Sequence, residues 1–241
     1  MNNIFDRKLA DYVIANSSLL NFLDRLNIKL GFRESTINEI CNNYKIDKYF
    51  FIELMLLIIN RNDFNPNHIE KFNISDTILY LRNSHKSYKT QYIPEIEKLI
   101  SKLKKLEKNR ETDCNLLYIY FKEYKTEFVK HLKKEDNNIF NYIIKIENNL
   151  IQKNINRKLK EYIEANTIKN YIISHDNLDE KLDDLKNLLI KYFKPFENEN
   201  IIRKIIKILF ELEEDLQIHE LIENKILFPK AKQLEERILK Y

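Results

Sequence analysis

Histidine is scarce in this chain of 241 residues, but four of its five histidines recur at nearly equal intervals. Successive members of this group are 46, 44 and 44 residues apart. Imidazole nitrogen is a good ligand for iron, zinc and other transition metals, so a regular set of histidines is a candidate metal-binding set. The four are His85, His131, His175 and His219.

Two of these histidines have a glutamate four residues later, in the pairs His131–Glu135 and His219–Glu223. Residues four apart lie on the same face of an α-helix, so each pair offers an imidazole and a carboxylate to one core. Four imidazoles and two carboxylates match the ligands of two transition-metal ions with carboxylate bridges. Iron is the favoured metal, with zinc and manganese as alternatives.

The same residues can also be read as ordinary members of a helical core. A single histidine on an apolar face is usually a hydrogen-bonded core residue, and glutamate is common in a charged helical chain. Two identical pairs and two further histidines favour the metal site. Asp179, four residues after His175, is interpreted as an acid at a helix N-terminus, with a ligand role as the alternative. His68 lies in a polar linker and is not included among the predicted ligands.

Four long amphipathic helices are predicted to position the histidines, one in each helix. The first contains Pro94, which is expected to kink it, and the last is expected to end before Pro229, ahead of a short tail helix over 230–239. Helices of this length with short connections predict an all-α, up-down-up-down four-helix bundle, with another all-α packing as the alternative. The four predicted ranges are about 75–108, 113–150, 167–193 and 200–226.

A small helical domain over residues 1–65 is predicted to precede the bundle over 75–241. The linker around 61–75 contains Asn, Asp and Pro, which favour turns. The expected helices of the small domain lie near Ala10–Leu23, after Ser35 and Thr36, and over Lys48–Asn60.

Composition excludes several classes of protein. A chain with a single glycine cannot form a Gly-rich phosphate loop or a dinucleotide fingerprint, and it has few of the residues that β-hairpin turns need. Its 41 basic and 37 acidic residues are mixed along the chain, unlike the basic stripe of a nucleic-acid-binding protein. We therefore expect a helical protein that binds no nucleic acid.

The compartment is predicted from the cysteines and the apolar segments. Cys41 and Cys114 do not make a disulfide framework, which favours a reducing environment. The N-terminus lacks the pattern of a signal peptide, and the longest apolar run, Tyr49–Ile59, is too short to span a bilayer. We therefore expect a cytoplasmic protein with no membrane partner.

The segment from Asp215 to Pro229, DLQIHELIENKILFP, resembles the last-helix motif of hemerythrin-like di-iron proteins. In particular it resembles the iron–sulfur cluster repair (repair-of-iron-centres) family. The residues Tyr80–His85 and Tyr92–Ile96 resemble the first bundle helix of that family. The pair His131–Glu135 resembles its second-helix pair, and His175 resembles its third-helix histidine.

This resemblance implies a carboxylate- and oxo-bridged di-iron centre, in which the four histidines are terminal ligands and Glu135 and Glu223 bridge the irons. The implied role is a response to nitrosative or oxidative stress that repairs damaged clusters in iron–sulfur client proteins. Iron donation, or reaction of the reduced centre with nitric oxide or dioxygen, is the implied chemistry. A sensor or interaction module without repair activity is the alternative, and a metal-free helical scaffold is the third hypothesis. Enzymatic activity and a homodimer are left open.

The segments Leu26–Phe32 and Thr36–Cys41 resemble the small N-terminal domain of the same family. Many members have adjacent cysteines and glycines where this chain reads LGFR over 30–33, and this departure removes support for a thiol-based role of the domain. The only glycine, Gly31, is expected at a turn that needs a positive φ.

Overall fold

The computed structural model describes residues 4–60, 72–172 and 178–241. The protein is all-α, with a helical share of 82% and no strand among the described residues, which confirms the predicted class. None of the helices within these ranges combines the length and apolar character that a bilayer-spanning segment needs.

The helices differ in length between the N-terminal part of the chain and the remainder. The N-terminal helices are α1 (Leu9–Ala15), α2 (Leu19–Arg25), α3 (Ile37–Tyr44) and α4 (Lys48–Ile59). The later helices are α5 (Ile74–Ser87), α6 (Ile93–Leu106), α7 (Glu111–Lys134), α8 (Phe140–Ile151), α9 (Arg157–Ala165), α10 (Ile168–Ile172), α11 (Leu178–Asn187), α12 (Glu199–Ile222) and α13 (Phe228–Lys240).

Five-residue π-turns continue several of these helices without a break. In a π-turn the amide of residue i+5 bonds to the carbonyl of residue i, which adds one residue to a helical turn. The amide of Ile93, for example, donates to the carbonyl of Tyr88, and both side chains are buried although they are five residues apart. The π-turns in the described chain are Tyr88–Tyr92, Glu135–Ile139, Leu188–Tyr192 and Glu223–Leu227.

The π-turns explain how helices pass through proline. Pro94 and Pro229 are each the second residue of the helix that follows a π-turn. Proline has no N–H for the usual i→i−4 bond, and the wider turn before it takes up that irregularity. The prediction that the last long helix ends before Pro229 is therefore wrong, because helical structure continues through it to Lys240.

The other long helices follow the predicted ranges to different extents. Continuous helical structure over 74–106 and 111–151 confirms the first two. The third, 167–193, includes residues 173–177, which lie outside the described residues, so its continuity stays a prediction. Helix α9 was not predicted, and it begins where the side chain of Asn156 accepts a hydrogen bond from the amide of Leu159 at 3.0 Å.

The chain divides into two compact units. The first unit comprises Met1–Ser84 and Ile218–Gln233, and the second comprises His85–Gln217 and Leu234–Tyr241. The predicted domain boundary near residues 65–75 stays a prediction.

In the first unit the predicted helix start at Thr36 is confirmed. Its side chain accepts from the amide of Glu39 at 3.2 Å, and the Glu39 carboxylate accepts from the amide of Thr36 at 2.9 Å. This reciprocal capping box satisfies two donors that a helix leaves unpaired. Gly31 lies in the turn that precedes this helix, and its φ of +91° is positive, as expected. The segment 10–23 is split into two helices, because Asn and Ser over 16–18 favour a turn.

Aromatic packing and one buried cation organise the interior of the first unit. The ring of Phe22 lies 4.9 Å from that of Phe51 and 6.2 Å from that of Tyr80. Arg25 is buried beside them, and its Nε donates to Oγ of Ser84 at 3.3 Å. Helix α2 is therefore fixed to α5 by both packing and polar contacts.

In the second unit, buried side chains from α6, α7, α11 and the part of α12 before residue 218 form one apolar core. They recur three or four residues apart, as expected for amphipathic helices that face each other.

The two cysteines of the chain are buried free thiols, one in each unit. Burial raises the pKa of Cys41 to about 12.

A buried carboxylate joins three helices of the second unit. Oε1 of Glu235 accepts a hydrogen bond from the Tyr142 hydroxyl at 2.5 Å and from the amide of Ile168 at 2.7 Å. Glu235 lies on α13, Tyr142 on α8 and Ile168 at the start of α10. One oxygen of Glu235 therefore accepts hydrogen bonds from two buried donors on different helices.

We predict that Glu235→Ala lowers the free energy of unfolding by about 1–3 kcal/mol, because it leaves the Tyr142 hydroxyl and the Ile168 amide buried without their acceptor. Urea unfolding followed by circular dichroism measures this change. The neighbouring exposed Glu236 is the matched control, and Glu236→Ala should change stability by no more than about 0.5 kcal/mol. Equal effects of the two substitutions would contradict a structural role for Glu235.

Candidate metal centre

Three of the six predicted ligands come together in the second unit. Nε2 of His85 lies 3.2 Å from Oε2 of Glu135, and Nε2 of His131 lies 2.9 Å from Oε1 of the same side chain. Each oxygen of the Glu135 carboxylate therefore faces a different imidazole. Imidazole nitrogen and carboxylate oxygen suit iron, zinc and manganese, so the donor types of His85, His131 and Glu135 fit such a metal ion.

The cluster is almost fully removed from solvent. His85 is 0% exposed and Glu135 is 1% exposed, whereas the His131 side chain is 14% exposed. A carboxylate in such a place is stable only when positive charge lies next to it, since an unpaired buried charge is very costly. The charged form of Glu135 therefore needs a protonated imidazole or a bound cation beside it.

His85 is held by a second carboxylate on its other nitrogen. Nδ1 of His85 donates to Oδ1 of Asp136 at 2.9 Å, and Nζ of Lys89 lies 3.2 Å from Oδ2 of the same carboxylate. Histidines that bind metals usually donate their other ring N–H to a carboxylate, a carbonyl or water. The surroundings of His85 thus fit a ligand that binds through Nε2.

The ionisation of His85 and Asp136 follows from these contacts. Burial by itself lowers the pKa of His85, but its hydrogen bonds to Asp136 and Glu135 outweigh burial and raise the pKa to about 9. Burial by itself raises the pKa of Asp136, but the contacts of Asp136 with His85 and Lys89 outweigh burial and hold that pKa below the usual range. Below a pH of about 9, these contacts therefore favour the imidazolium form of His85 in the metal-free protein.

One π-turn supplies all of these contacts with the His85 ring. Glu135 is the first residue of the π-turn Glu135–Ile139, Asp136 is the second, and Phe140 follows the turn. The Phe140 ring stacks on His85, with centroids 5.5 Å apart and an interplanar angle of 17°. Without the extra residue, Phe140 would be rotated by about 100° around the helix axis. The π-turn thus brings an acid to each nitrogen of His85 and an aromatic ring to its face.

The second predicted pair lies in the first unit and has the same local structure. Nε2 of His219 lies 3.6 Å from Oε1 of Glu223, and both side chains are buried. Glu223 begins the π-turn Glu223–Leu227, and the amide of Phe228 donates to its carbonyl as that of Phe140 does to Glu135. The two pairs therefore share the order His, Glu four residues later and Phe five residues after that.

Two of the sequence-based assignments cannot be compared with the structure. His175 and His68 lie outside the described residues, and so does the side chain of Asp179. The ligand role of His175 and the interpretation of Asp179 stay predictions.

Lys89, Asp136 and Phe140 were not among the residues predicted from the sequence. Lys89 is four residues after His85 and so shares its helical face, which is a usable signal. Asp136 directly follows Glu135, and nothing in a regular helical pattern assigns it to a neighbouring histidine. The spacing Glu-x4-Phe occurs in both His–Glu pairs and marks the two π-turns in the sequence.

No protein-family model matches this chain, and no curated protein matches it either. The interpretation of the centre therefore depends on the geometry of its own residues.

The raised pKa of His85 predicts how the stability of the metal-free protein varies with pH. Because the pKa is about 9 when folded and 6.5 for the ordinary side chain, the stabilisation is complete below pH 6.5 and is lost as the pH rises through about 9. Relative to His85→Gln, the wild-type protein should lose on the order of 3 kcal/mol of unfolding free energy between about pH 6 and pH 10.

Chemical denaturation in the presence of a chelator, repeated at several pH values, measures this difference. Subtracting the His85→Gln curve removes the contribution of the groups that titrate alike in both proteins. A difference that does not change with pH would show that His85 is not charged between the two carboxylates.

Proposed function

We propose that this chain is a hemerythrin-like, non-haem di-iron protein of the nitrosative and oxidative stress response that repairs damaged iron–sulfur clusters. The observation that carries the proposal is the buried Glu135 carboxylate, which has a different imidazole at each oxygen. The proposal includes an up-down-up-down four-helix bundle behind a small N-terminal helical domain. The all-helical fold and the long helices support that architecture.

The proposed ligands are two His–Glu pairs and two further histidines. Glu135 and Glu223 would each bridge the irons, because a carboxylate has two oxygens and each of these residues follows a histidine by one helical turn. The π-turn that begins at each glutamate supports the proposal, since π-turns within α-helices occur frequently at functional sites. The proposed terminal ligands are His85, His131, His175 and His219.

The remaining residues of the cluster would prepare the site for metal. Asp136 accepts a hydrogen bond from Nδ1–H of His85, so that Nε2 is the nitrogen left for a metal. Phe140 covers the face of the same ring and keeps water from it. When bound, a pair of irons would supply redox chemistry toward nitric oxide or dioxygen, and iron that can be donated to an iron–sulfur client protein.

We predict that the protein expressed with supplemented iron contains about two irons per chain and shows an oxo-to-iron absorption band in the near-ultraviolet, as carboxylate and imidazole ligands suit a di-iron centre. Glu135→Ala and Glu223→Ala should each lower the iron content by removing a bridging ligand. Elemental analysis with an absorption spectrum measures both quantities.

The exposed Glu220 lies on the same helix as His219 and is the matched control, so Glu220→Ala should retain the iron of the wild-type protein. A wild-type protein that contains no iron would refute the proposal. Full iron content in both glutamate variants would refute the assignment of the bridges.

We further predict that the iron-loaded protein restores activity to a cluster enzyme damaged by nitric oxide, and that Glu135→Ala does not. The physical reason is that iron can be donated only by a chain that holds it. The measurement is the regain of enzyme activity under anaerobic conditions with a thiol reductant and a sulfide source. An iron-loaded wild-type protein that restores nothing, but binds a partner only when nitric oxide is present, would instead favour a sensor.

A further inference from the structure

We infer that Asp136, itself held by Lys89, is a positioning residue that sets the orientation of His85 for metal binding. This inference rests on the proposed function, because it concerns a residue beside the same centre. It adds to the proposed ligands an ion pair that does not contact the metal and yet controls how well His85 binds it.

The His85 ring lies between two carboxylates, one at each of its nitrogens. Nδ1 lies 2.9 Å from Oδ1 of Asp136, and Nε2 lies 3.2 Å from Oε2 of Glu135. A neutral imidazole has one N–H and one lone pair, so a hydrogen bond from Nδ1 leaves the lone pair on Nε2. Asp136 therefore selects the nitrogen that faces Glu135 as the ligand atom.

The carboxylate of Asp136 also has two partners. Its Oδ1 accepts from His85, and its Oδ2 lies 3.2 Å from Nζ of Lys89. Two different donors thus fix the two oxygens of one carboxylate, which sets its plane as well as its position. The Asp136 side chain is 21% exposed and that of Lys89 is 33% exposed. Solvent therefore screens this pair less than it screens a fully exposed surface pair.

This arrangement is built by backbone irregularities in two helical segments. Lys89 lies in the π-turn Tyr88–Tyr92, and Asp136 lies in the π-turn Glu135–Ile139. Phe140, directly after the second turn, stacks on the His85 ring and restricts its rotation. Packing thus limits the tilt of the ring, while the Asp136 hydrogen bond fixes which nitrogen faces Glu135.

The experiment compares anaerobic Fe(II) affinity, measured by competition with a chromophoric chelator, across substitutions of the pair. Loss of such an outer partner weakens metal binding by about 10–100-fold, and we expect Asp136→Leu to fall in that range. Asp136→Asn keeps an oxygen acceptor at nearly the same place and should lose less affinity. Lys89→Met should also lose less, because Asp136 remains but its orientation is no longer fixed.

A second readout follows the hydrogen bond directly. In the zinc-loaded protein, a proton-detected nitrogen-15 spectrum should show His85 bound through Nε2, with a slowly exchanging Nδ1 proton. In Asp136→Leu that proton should exchange rapidly with water. Asn138 lies in the same π-turn and Lys86 on the same helix, both exposed, so Asn138→Ala and Lys86→Met are matched controls that should leave both readouts unchanged.

The outcomes separate the positioning role from the metal site itself. A wild-type protein that takes up neither iron nor zinc would overturn the proposed function and the positioning role together. A wild-type protein that binds metal, with Asp136→Leu binding it equally well and keeping the same Nδ1 proton, would overturn the positioning role alone. If Asp136→Leu does not fold, wild-type values for both Asp136→Asn and Lys89→Met would likewise overturn it.

Discussion

The candidate centre depends on one constraint, which is that the Glu135 carboxylate is buried and must have positive charge beside it. Imidazole nitrogens of His85 and His131 lie within 3.2 Å of its two oxygens. A protonated imidazole can meet this need in the metal-free protein, and metal ions can meet it in the loaded protein. In the proposed function the same residues serve the stability of the fold and the binding of metal, and a proton and a metal ion compete for Nε2 of His85.

The π-turns connect this constraint to the backbone. An uninterrupted α-helix carries its buried face at intervals of three or four residues, whereas each π-turn introduces an interval of five. Glu135 and Phe140 are both buried at that interval, as are Glu223 and Phe228. A helix with one added residue can thus bury an acid in one turn and an aromatic ring in the next. A π-turn is rarer and less favourable than a regular α-helical turn, and the packing of the buried rings offsets this difference.

Apolar periodicity predicted the helical class and most of the long helices, because burial of an amphipathic face is the main determinant of helix position. It failed at Pro229, where the rule that proline ends a helix does not allow for a preceding π-turn. The four-residue spacing of a histidine and a glutamate identified the His131–Glu135 pair, since four residues make about one helical turn. Periodicity could not predict that Asp136 contacts His85, because the two residues are 51 apart in sequence and meet only when their helical segments pack together. Long-range polar contacts of this kind leave no periodic signal.

The proposed function requires that the chain bind two metal ions in one centre. Mössbauer spectroscopy of the oxidised protein loaded with iron-57 tests it most directly, because two ferric ions joined by a bridge couple their spins and a single ferric ion cannot. A di-iron centre gives a quadrupole doublet from a diamagnetic pair that contains most of the bound iron. Magnetically split spectra from isolated ferric ions, or no bound iron, would contradict it.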